Sequence, residues 1–257
     1  MTCPSFPKAV WYYHALMAVR HRFLLGASFL YLAVANLIWI ARDTRPPFWD
    51  MAAHQTTALR IYDAFADFGI RALAVVPMLT GPYPPFYQSV VALFYAAFGK
   101  TIDVAQLANL PAIVLLFAAT YGIGREILKP CAAAAAAVLV NFYPILLWLS
   151  RETLIDYWLT SVVALAMWLL IRTREFSDRR RSIAFGIACG LGLLTKWTFG
   201  FFVVLPALWF ARKNLKNAAI AACIAAAIAA YWYIPARRSL AVLFGVNSRQ
   251  SVIEGDP

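Results

Sequence analysis

The chain has 257 residues, of which 63% are hydrophobic and only 14% are charged. Soluble domains are about 45–50% apolar and about 25% charged, so these proportions exclude a soluble globular protein and favour one that spans a membrane several times. The formal net charge of +11 would suit nucleic acid if the basic residues formed one surface, but they fall in short clusters between apolar segments. That distribution is typical of cytoplasmic loops, so we expect membrane lipids and no nucleic acid as partners.

Apolar segments long enough to cross a bilayer predict the transmembrane helices. A helix needs about 20 consecutive apolar residues to cross. Basic residues ahead of the first segment indicate an uncleaved signal anchor with a cytoplasmic amino terminus. Two shorter segments, 182–194 and 197–211, predict a hairpin that turns at Thr195 and Lys196. The long segments are residues 23–40, 104–124, 131–149, 153–171 and 217–235.

One further apolar segment, residues 84–98, is too short to cross, and the charge distribution decides its position. If this segment lies in the interface on the external side, every basic cluster between the spans falls in the cytoplasm. The cytoplasmic side then carries 13 basic and 3 acidic residues, and the external side carries 10 basic and 9 acidic residues. Because cytoplasmic loops are enriched in Lys and Arg, we expect about seven spans, with the amino terminus inside and the carboxyl terminus outside.

This topology makes residues 41–103 one external loop with helices of its own. Charged residues three and four apart between positions 60 and 71 favour a solvated helix. Pro84 and Pro85 open the short apolar segment, which predicts a second helix lying along the interface. We therefore expect an all-α polytopic transmembrane protein, a single domain over residues 1–257 with juxtamembrane helices in its first external loop.

The first candidate site follows the first span. Asp50 and His54 are four residues apart, so a helix over this stretch would place both side chains on one face. Two plainer interpretations stay open at this point. In these, Asp50 caps the next helix and His54 is an ordinary surface histidine.

The second candidate site opens the segment 153–171. Inserting a carboxylate at the centre of a span costs about 2.5–3.5 kcal/mol of free energy, so a carboxylate near the end of a span usually has a functional role. If the helix begins near Arg151, then Glu152 and Asp156 lie four residues apart and share a face. The alternative is that Asp156 forms a buried ion pair with Arg151 or with a neighbouring helix.

The third candidate is Lys196, at the tip of the predicted hairpin. The hairpin arms have about 13–15 residues and rise only about 20–22 Å, against a hydrocarbon core of about 30 Å. Lys196 would then lie below the external surface, close to the positive dipole end at the amino terminus of the next helix. The lysine and the helix terminus together would form a phosphate-binding site. Alternatively, the lysine simply extends outward to water.

Several stretches resemble, in order, the motifs of the polytopic glycosyltransferases of the GT-C class that use polyprenyl-phosphate sugars. These enzymes include the protein O-mannosyltransferases and the lipid A aminoarabinose transferase. The similar stretches are Trp49-Asp50 for the first-loop aspartate, Tyr83-Pro84-Pro85-Phe86-Tyr87 for the (H/Y)-P-P-aromatic motif, Ser150 to Asp156 for the S-R-x-x-x-x-D motif, Gly190 to Lys196 for the G-L-x-x-L-T-K turn, and Glu254 to Pro257 for the start of a later external loop.

The resemblance implies that a sugar is transferred, with inversion, from a polyprenyl-phosphate carrier to a hydroxyl on the non-cytoplasmic face of a bacterial inner membrane. Asp50 would be the general base. Asp156, together with Glu152, would orient the acceptor, help to position Asp50 or hold a divalent ion. Lys196 and Arg151 would neutralise the departing lipid phosphate. The residues expected to line the donor and acceptor pocket are Glu152, His54, Tyr83 and Tyr87.

The chain also departs from the family pattern. Met51 follows the first aspartate where many relatives have Glu, and Tyr83 precedes the two prolines where some have an acidic residue, a basic residue or His. Both departures weaken the case for a bound divalent metal ion. Relatives are longer and have more spans, so the resemblance predicts an amino-terminal fragment that is incomplete at its carboxyl end. The acceptor (a protein, a lipid or a glycan) is not indicated. The alternatives are a polytopic transporter or lipid flippase, with Asp156 and Lys196 as its substrate site, and a catalytically inactive truncated relative.

Overall fold

The computed structural model describes residues 8–254, with backbone only for residues 8–20, 239, 243, 244 and 246–254. Helices and turns make up this part of the chain, without any strand. A short 3-10 helix, Gly69–Ala74, follows the second α-helix. The α-helices are α1 (Lys8–Arg42), α2 (Trp49–Phe68), α3 (Val76–Leu79), α4 (Phe86–Phe98), α5 (Ile102–Leu107), α6 (Leu110–Ile127), α7 (Pro130–Asn141), α8 (Pro144–Leu149), α9 (Ile155–Arg172), α10 (Arg179–Thr195), α11 (Phe199–Ala211) and α12 (Leu215–Glu254).

Within the described residues, four helical segments are long and apolar enough to cross a membrane: His21–Arg42, Ile102–Ile127, Ile155–Arg172 and Leu215–Arg238. The predicted all-helical membrane architecture is therefore confirmed. The count of about seven spans requires shorter helices to cross as well, and it stays a prediction. Among the shorter helices, those of apolar composition are Phe86–Phe98, Pro130–Asn141 and Phe199–Ala211.

The predicted span over residues 131–149 is not one helix. It breaks after Asn141, and the chain resumes as α8 at Pro144. Tyr143 is extended, with φ −63° and ψ 131°. The cause is local, because a proline disfavours the helical conformation in the residue before it and cannot donate a backbone hydrogen bond.

The helix bundle is held together by close packing of small residues. α6 packs on α7 and α9, α9 packs on α10, and α10 packs on α12. A methyl group added at Gly186 of α10 would lie 2.5 Å from the carbonyl oxygen of Ala221 in α12. Glycine therefore permits a backbone approach that any other residue would block, which is how membrane helices commonly pack.

The basic loops meet at one end of this bundle. The guanidinium of Arg172, at the end of α9, lies 4.0 Å from the carboxylate of Glu126, at the end of α6. Lys213, after α11, pairs with Glu175 at 2.6 Å. The amide of Asn217 donates to the Phe176 carbonyl at 2.7 Å. The clusters that the charge argument placed together are thus neighbours in space, while the side of the membrane that they face stays a prediction.

The helices predicted between residues 41 and 103 are present and form a layer against the other end. α2 packs on α4, and α3 packs on α12. The Trp232 indole donates to the Thr80 hydroxyl at 2.8 Å, which ties this layer to α12. Asp63 of α2 lies 3.6 Å from Lys100, an ion pair across the layer that the sequence pattern did not predict. That the layer lies along the membrane surface remains a prediction.

Candidate active site

The first turn of α2 carries Asp50 and, one turn later, His54. The predicted helix over these two residues is confirmed, and both side chains line one cavity of about 420 Å³. Trp49, which precedes Asp50, has a φ of 46°, a left-handed conformation that is unusual for a large side chain. Such strained positions concentrate at functional sites. Asp50 itself is exposed, so a substrate could reach its carboxylate.

His54 is buried, with only 2% of its surface exposed. Its Nδ1 lies 3.1 Å from the side-chain nitrogen of Gln88, and the edges and faces of Tyr83 and Tyr87 enclose its ring at centroid distances of 5.0 and 5.8 Å. Burial lowers the pKa of His54 to about 4, because a charged ring would lose its hydration. The ring is therefore neutral at pH 7.

Tyr83 links this layer to Asp50. Its hydroxyl donates to Asp50 Oδ2 at 3.4 Å. Burial raises the pKa of Tyr83, and the nearby carboxylates of Asp50 and Asp156 raise it further. The hydroxyl therefore stays protonated and remains a donor. Tyr87 has no exposed surface, so it supports His54 from beneath and does not reach the cavity in this conformation.

Lys196 and Asp156 form an ion pair between the end of α10 and the start of α9. The Lys196 ammonium lies 2.8 Å from Asp156 Oδ1, in the first turn of α9. The pair is partly open, since the side chains are 22% and 42% exposed. Of the interpretations left open for Asp156, pairing with a neighbouring helix is the one found. Lys196 is turned toward this carboxylate and does not simply extend to water.

Asp50, Asp156 and Lys196 lie close enough to His54 to act on its pKa, although Asp156 and Lys196 do not line the cavity of about 420 Å³. The carboxylates of Asp50 and Asp156 both favour the protonated form of His54, and Lys196 opposes it. Asp50 and Asp156 also both act on Tyr83. The structure therefore brings together residues from α2, the 80–85 turn, α9 and the end of α10.

Glu152 lies elsewhere, and the prediction that it shares a helix face with Asp156 is wrong. α9 begins only at Ile155, after an extended Leu154. The preceding turn is held open by the Asn109 amide, which donates to the carbonyls of residues 149, 150 and 152 at 3.4, 3.3 and 2.8 Å. Glu152 instead faces Arg45 at 3.4 Å. Burial raises the pKa of Glu152, and Arg45 acts in the opposite direction.

Arg151 also has partners that sequence reasoning missed. Its Nε donates to Asn36 Oδ1 at 2.9 Å, and its guanidinium lies 5.0 Å from the ring centre of Trp39. These residues lie on α1, and Arg151 lines a groove along that helix, whereas Asp50 lines a different cavity. An amide side chain within an apolar segment, as at Asn36, is a sequence signal that could have predicted this contact, because a buried polar group needs a partner.

A metal ion fits these residues poorly. In the part of the chain that the structure describes, no three His, Cys, Asp or Glu side chains come close enough to hold a metal together. Asp156 is engaged by Lys196, and Glu152 is engaged by Arg45.

Ionisable residues gathered near the ends of apolar helices mark a candidate functional site in a membrane protein. The comparison with known families makes this specific. The chain belongs to the dolichyl-phosphate-mannose-protein mannosyltransferase family, whose model matches residues 82–236, and it is thus a membrane glycosyltransferase of the GT-C type. No match was found among curated proteins or among solved structures. The matched region contains Tyr83, Asp156 and Lys196, while Asp50 and His54 precede it.

Proposed function

We propose that the protein transfers a sugar from a polyprenyl-phosphate donor to an acceptor hydroxyl, with inversion, on the non-cytoplasmic face of the membrane. The observation that supports this most directly is the convergence of Asp50, Asp156 and Lys196 on the surroundings of His54. The basic loops gather around the other ends of α6 and α9. By the positive-inside rule, this arrangement supports an external site and a cytoplasmic amino terminus. The proposed location is a bacterial plasma membrane.

Asp50 is the general base in this proposal. It takes the proton of the acceptor hydroxyl while that oxygen forms a bond to the anomeric carbon. Tyr83 donates to one carboxylate oxygen, Oδ2, which leaves the other for the acceptor. The separation of 3.4 Å is long for a hydrogen bond between oxygens, and such contacts often shorten when substrate binds.

Lys196 receives the leaving group. As the new bond forms, the bond between the anomeric carbon and the phosphate oxygen breaks, and its electron pair departs with the polyprenyl phosphate. An ammonium has three donors, so the bond from Lys196 to Asp156 leaves others for the phosphate. Positioned charge of this kind is often the largest single contribution to catalysis. Because Arg151 lies in another cavity, Lys196 alone carries the donor phosphate in this proposal.

His54 and Gln88 support the base from below. A neutral ring packed edge to face against Tyr83 keeps the tyrosine hydroxyl directed at Asp50 without adding a charge to the site. A protonated ring would attract both carboxylates and compete with Lys196. The buried position of His54 prevents this at neutral pH.

The test is Asp50→Asn, assayed for transfer from a radiolabelled polyprenyl-phosphate mannose in membranes that contain the whole chain. Loss of a general base typically lowers the rate by about 10²–10⁴-fold. The matched control is Asp67→Asn, which removes another exposed carboxylate from the same helix and should leave the rate unchanged. Full transfer by a folded and inserted Asp50→Asn protein would end the assignment of the base.

A further inference from the structure

Two cavities, neither of them lined by Asp50, adjoin each other beside α1 and the first turn of α2. One is a groove of about 1050 Å³ along α1, and the other is a chamber of about 360 Å³ beside the first turn of α2. Asp43 and Arg45 line both, so the two spaces meet at these residues. Together they form an apolar channel that ends in a polar pocket.

The groove has the dimensions of a lipid chain in one leaflet. Its apolar wall runs along α1 from Ala27 to Trp39, which is about 18 Å at 1.5 Å per residue. Half of a hydrocarbon core of about 30 Å is about 15 Å. Leu30 and Tyr31 on this wall are 62% and 67% exposed, so the groove is open to the side of the helix.

The end of the groove carries a guanidinium that is held in place. Arg151 is fixed through its Nε by Asn36, which is 1% exposed and is itself bonded to the Ser150 hydroxyl at 3.0 Å. This contact leaves the two terminal nitrogens of Arg151 for a bidentate bond to a phosphate. Arg45, beside it, is already matched by Asp43 at 2.8 Å.

The chamber has the chemistry of a site for hydroxyl groups. Glu152, Gln55 and Gln106 supply carboxylate and amide groups, and Trp148, which is 43% exposed, supplies a flat apolar surface. Gln106 is 7% exposed, and its carbonyl oxygen is buried without a hydrogen-bond partner. An unpaired buried acceptor is costly, and a hydroxyl donor in the chamber would relieve that cost.

We infer that these two cavities bind an anionic membrane lipid with a hydroxyl-rich headgroup. The chains lie in the α1 groove, the phosphate binds Arg151, and the headgroup enters the chamber. Asp50 lines neither cavity, so the bound lipid has no assigned step in the transfer reaction.

The test measures lipid retention by the purified chain, using native mass spectrometry with three probes of equal acyl composition. Phosphatidylinositol carries a phosphate and a polyol, phosphatidic acid carries only the phosphate, and phosphatidylcholine is zwitterionic. We expect retention to fall in that order. Arg151→Gln should lower retention of both anionic lipids about tenfold, and Trp148→Ala should remove the preference for phosphatidylinositol over phosphatidic acid.

A matched pair of variants tests the groove. Ala35→Trp fills it and should lower retention of phosphatidylinositol, whereas Leu37→Trp adds the same side chain to α1 outside the groove and should not. Equal retention of the three lipids, or equal effects of the two tryptophan variants, would overturn the inference. Preferential displacement of phosphatidylinositol by undecaprenyl phosphate would also overturn it, because the groove would then belong to the donor.

The binding readout does not depend on catalysis, so the two proposals fail separately. If Asp50→Asn abolishes transfer while the groove and chamber variants retain lipid like the parent, the proposed function stands and this inference fails. If the variants change retention as expected while Asp50→Asn still transfers the sugar, the lipid site stands and the assigned base fails. Thermal unfolding of each variant identifies any that have simply lost their fold.

Discussion

His54 makes the stability of the protein depend on pH in a predictable direction. The folded protein keeps this ring neutral down to about pH 4, whereas in the unfolded chain the ring takes up a proton near pH 6.5. Because the unfolded state binds more protons between these values, the free energy of unfolding falls as the pH falls from about 6.5 to about 4. Below about pH 4 both states are protonated and this loss is complete.

The size of the effect follows from the same shift. Each pKa unit corresponds to about 1.4 kcal/mol, so His54 should cost the fold about 3 kcal/mol between pH 7 and pH 4. The pKa of about 4 already includes the effects of the charged groups around the His54 ring. Burial lowers the pKa of the ring most, and Lys196 lowers it further, so together they outweigh the opposite effect of Asp50 and Asp156.

The perturbation is His54→Asn, which removes the titrating ring and retains an oxygen that can accept from Gln88. Thermal unfolding in detergent should be followed at several pH values between 4 and 7 for both proteins. In the parent, about 3 kcal/mol corresponds to a fall in Tm of about 6–12 °C for a chain of this size. Between pH 7 and pH 4 the Tm of the variant should fall by about 6–12 °C less than the Tm of the parent, because the other titrating groups are common to both proteins.

An equal fall in Tm for the two proteins would refute this reasoning, since His54 would then titrate alike in the folded and unfolded states. A direct check is the NMR titration of the ring. A pKa near 6.5 in the folded protein would show that water reaches the ring, and the argument that a neutral histidine supports Tyr83 would fall with it.

Three further predictions concern Lys196, Gly186 and Asn109. Lys196→Met should raise the KM for the donor about tenfold yet cost no more than about 1 kcal/mol of stability, because its partner Asp156 is 42% exposed; an unchanged KM in steady-state kinetics would count against the phosphate role. Gly186→Ala should destabilise the protein by about 1–3 kcal/mol in thermal unfolding, whereas Gly26→Ala, with nothing within 4 Å of the added methyl group, should have little effect. Asn109→Leu should cost about 1–3 kcal/mol and speed hydrogen exchange in residues 150–154, because it removes the amide that holds that turn; unchanged exchange would show that the turn holds itself.

The local sequence pattern was sufficient to predict the helices and the shared face of Asp50 and His54. The hairpin predicted at Thr195 and Lys196 is found, with α10 ending at Thr195 and α11 beginning at Phe199. Asp50 and His54 share a face because their spacing matches the helix period. These features depend only on residues that are near one another in the chain.

Local pattern was misleading where a distant residue overrides helix geometry. Glu152 and Asp156 have the spacing of a shared face, but Asn109 holds the backbone before α9 out of the helix. The helix break before Pro144 could have been predicted from the sequence, since proline alone explains it. The ion pair between Glu152 and Arg45 could not be predicted, because those residues are 107 positions apart.

Length and hydropathy by themselves determined that this chain forms helices apolar enough to span a membrane, and the charge pattern predicted which loops lie together. These properties add up along the chain and need no knowledge of packing. Only the tertiary structure decided that Lys196 bonds to Asp156, that Arg151 bonds to Asn36, and that Arg151 lines the groove along α1. The reason is that helix packing sets which helix ends meet, and that depends on small-residue contacts such as those of α10 with α12, which the hydropathy of any one segment does not encode.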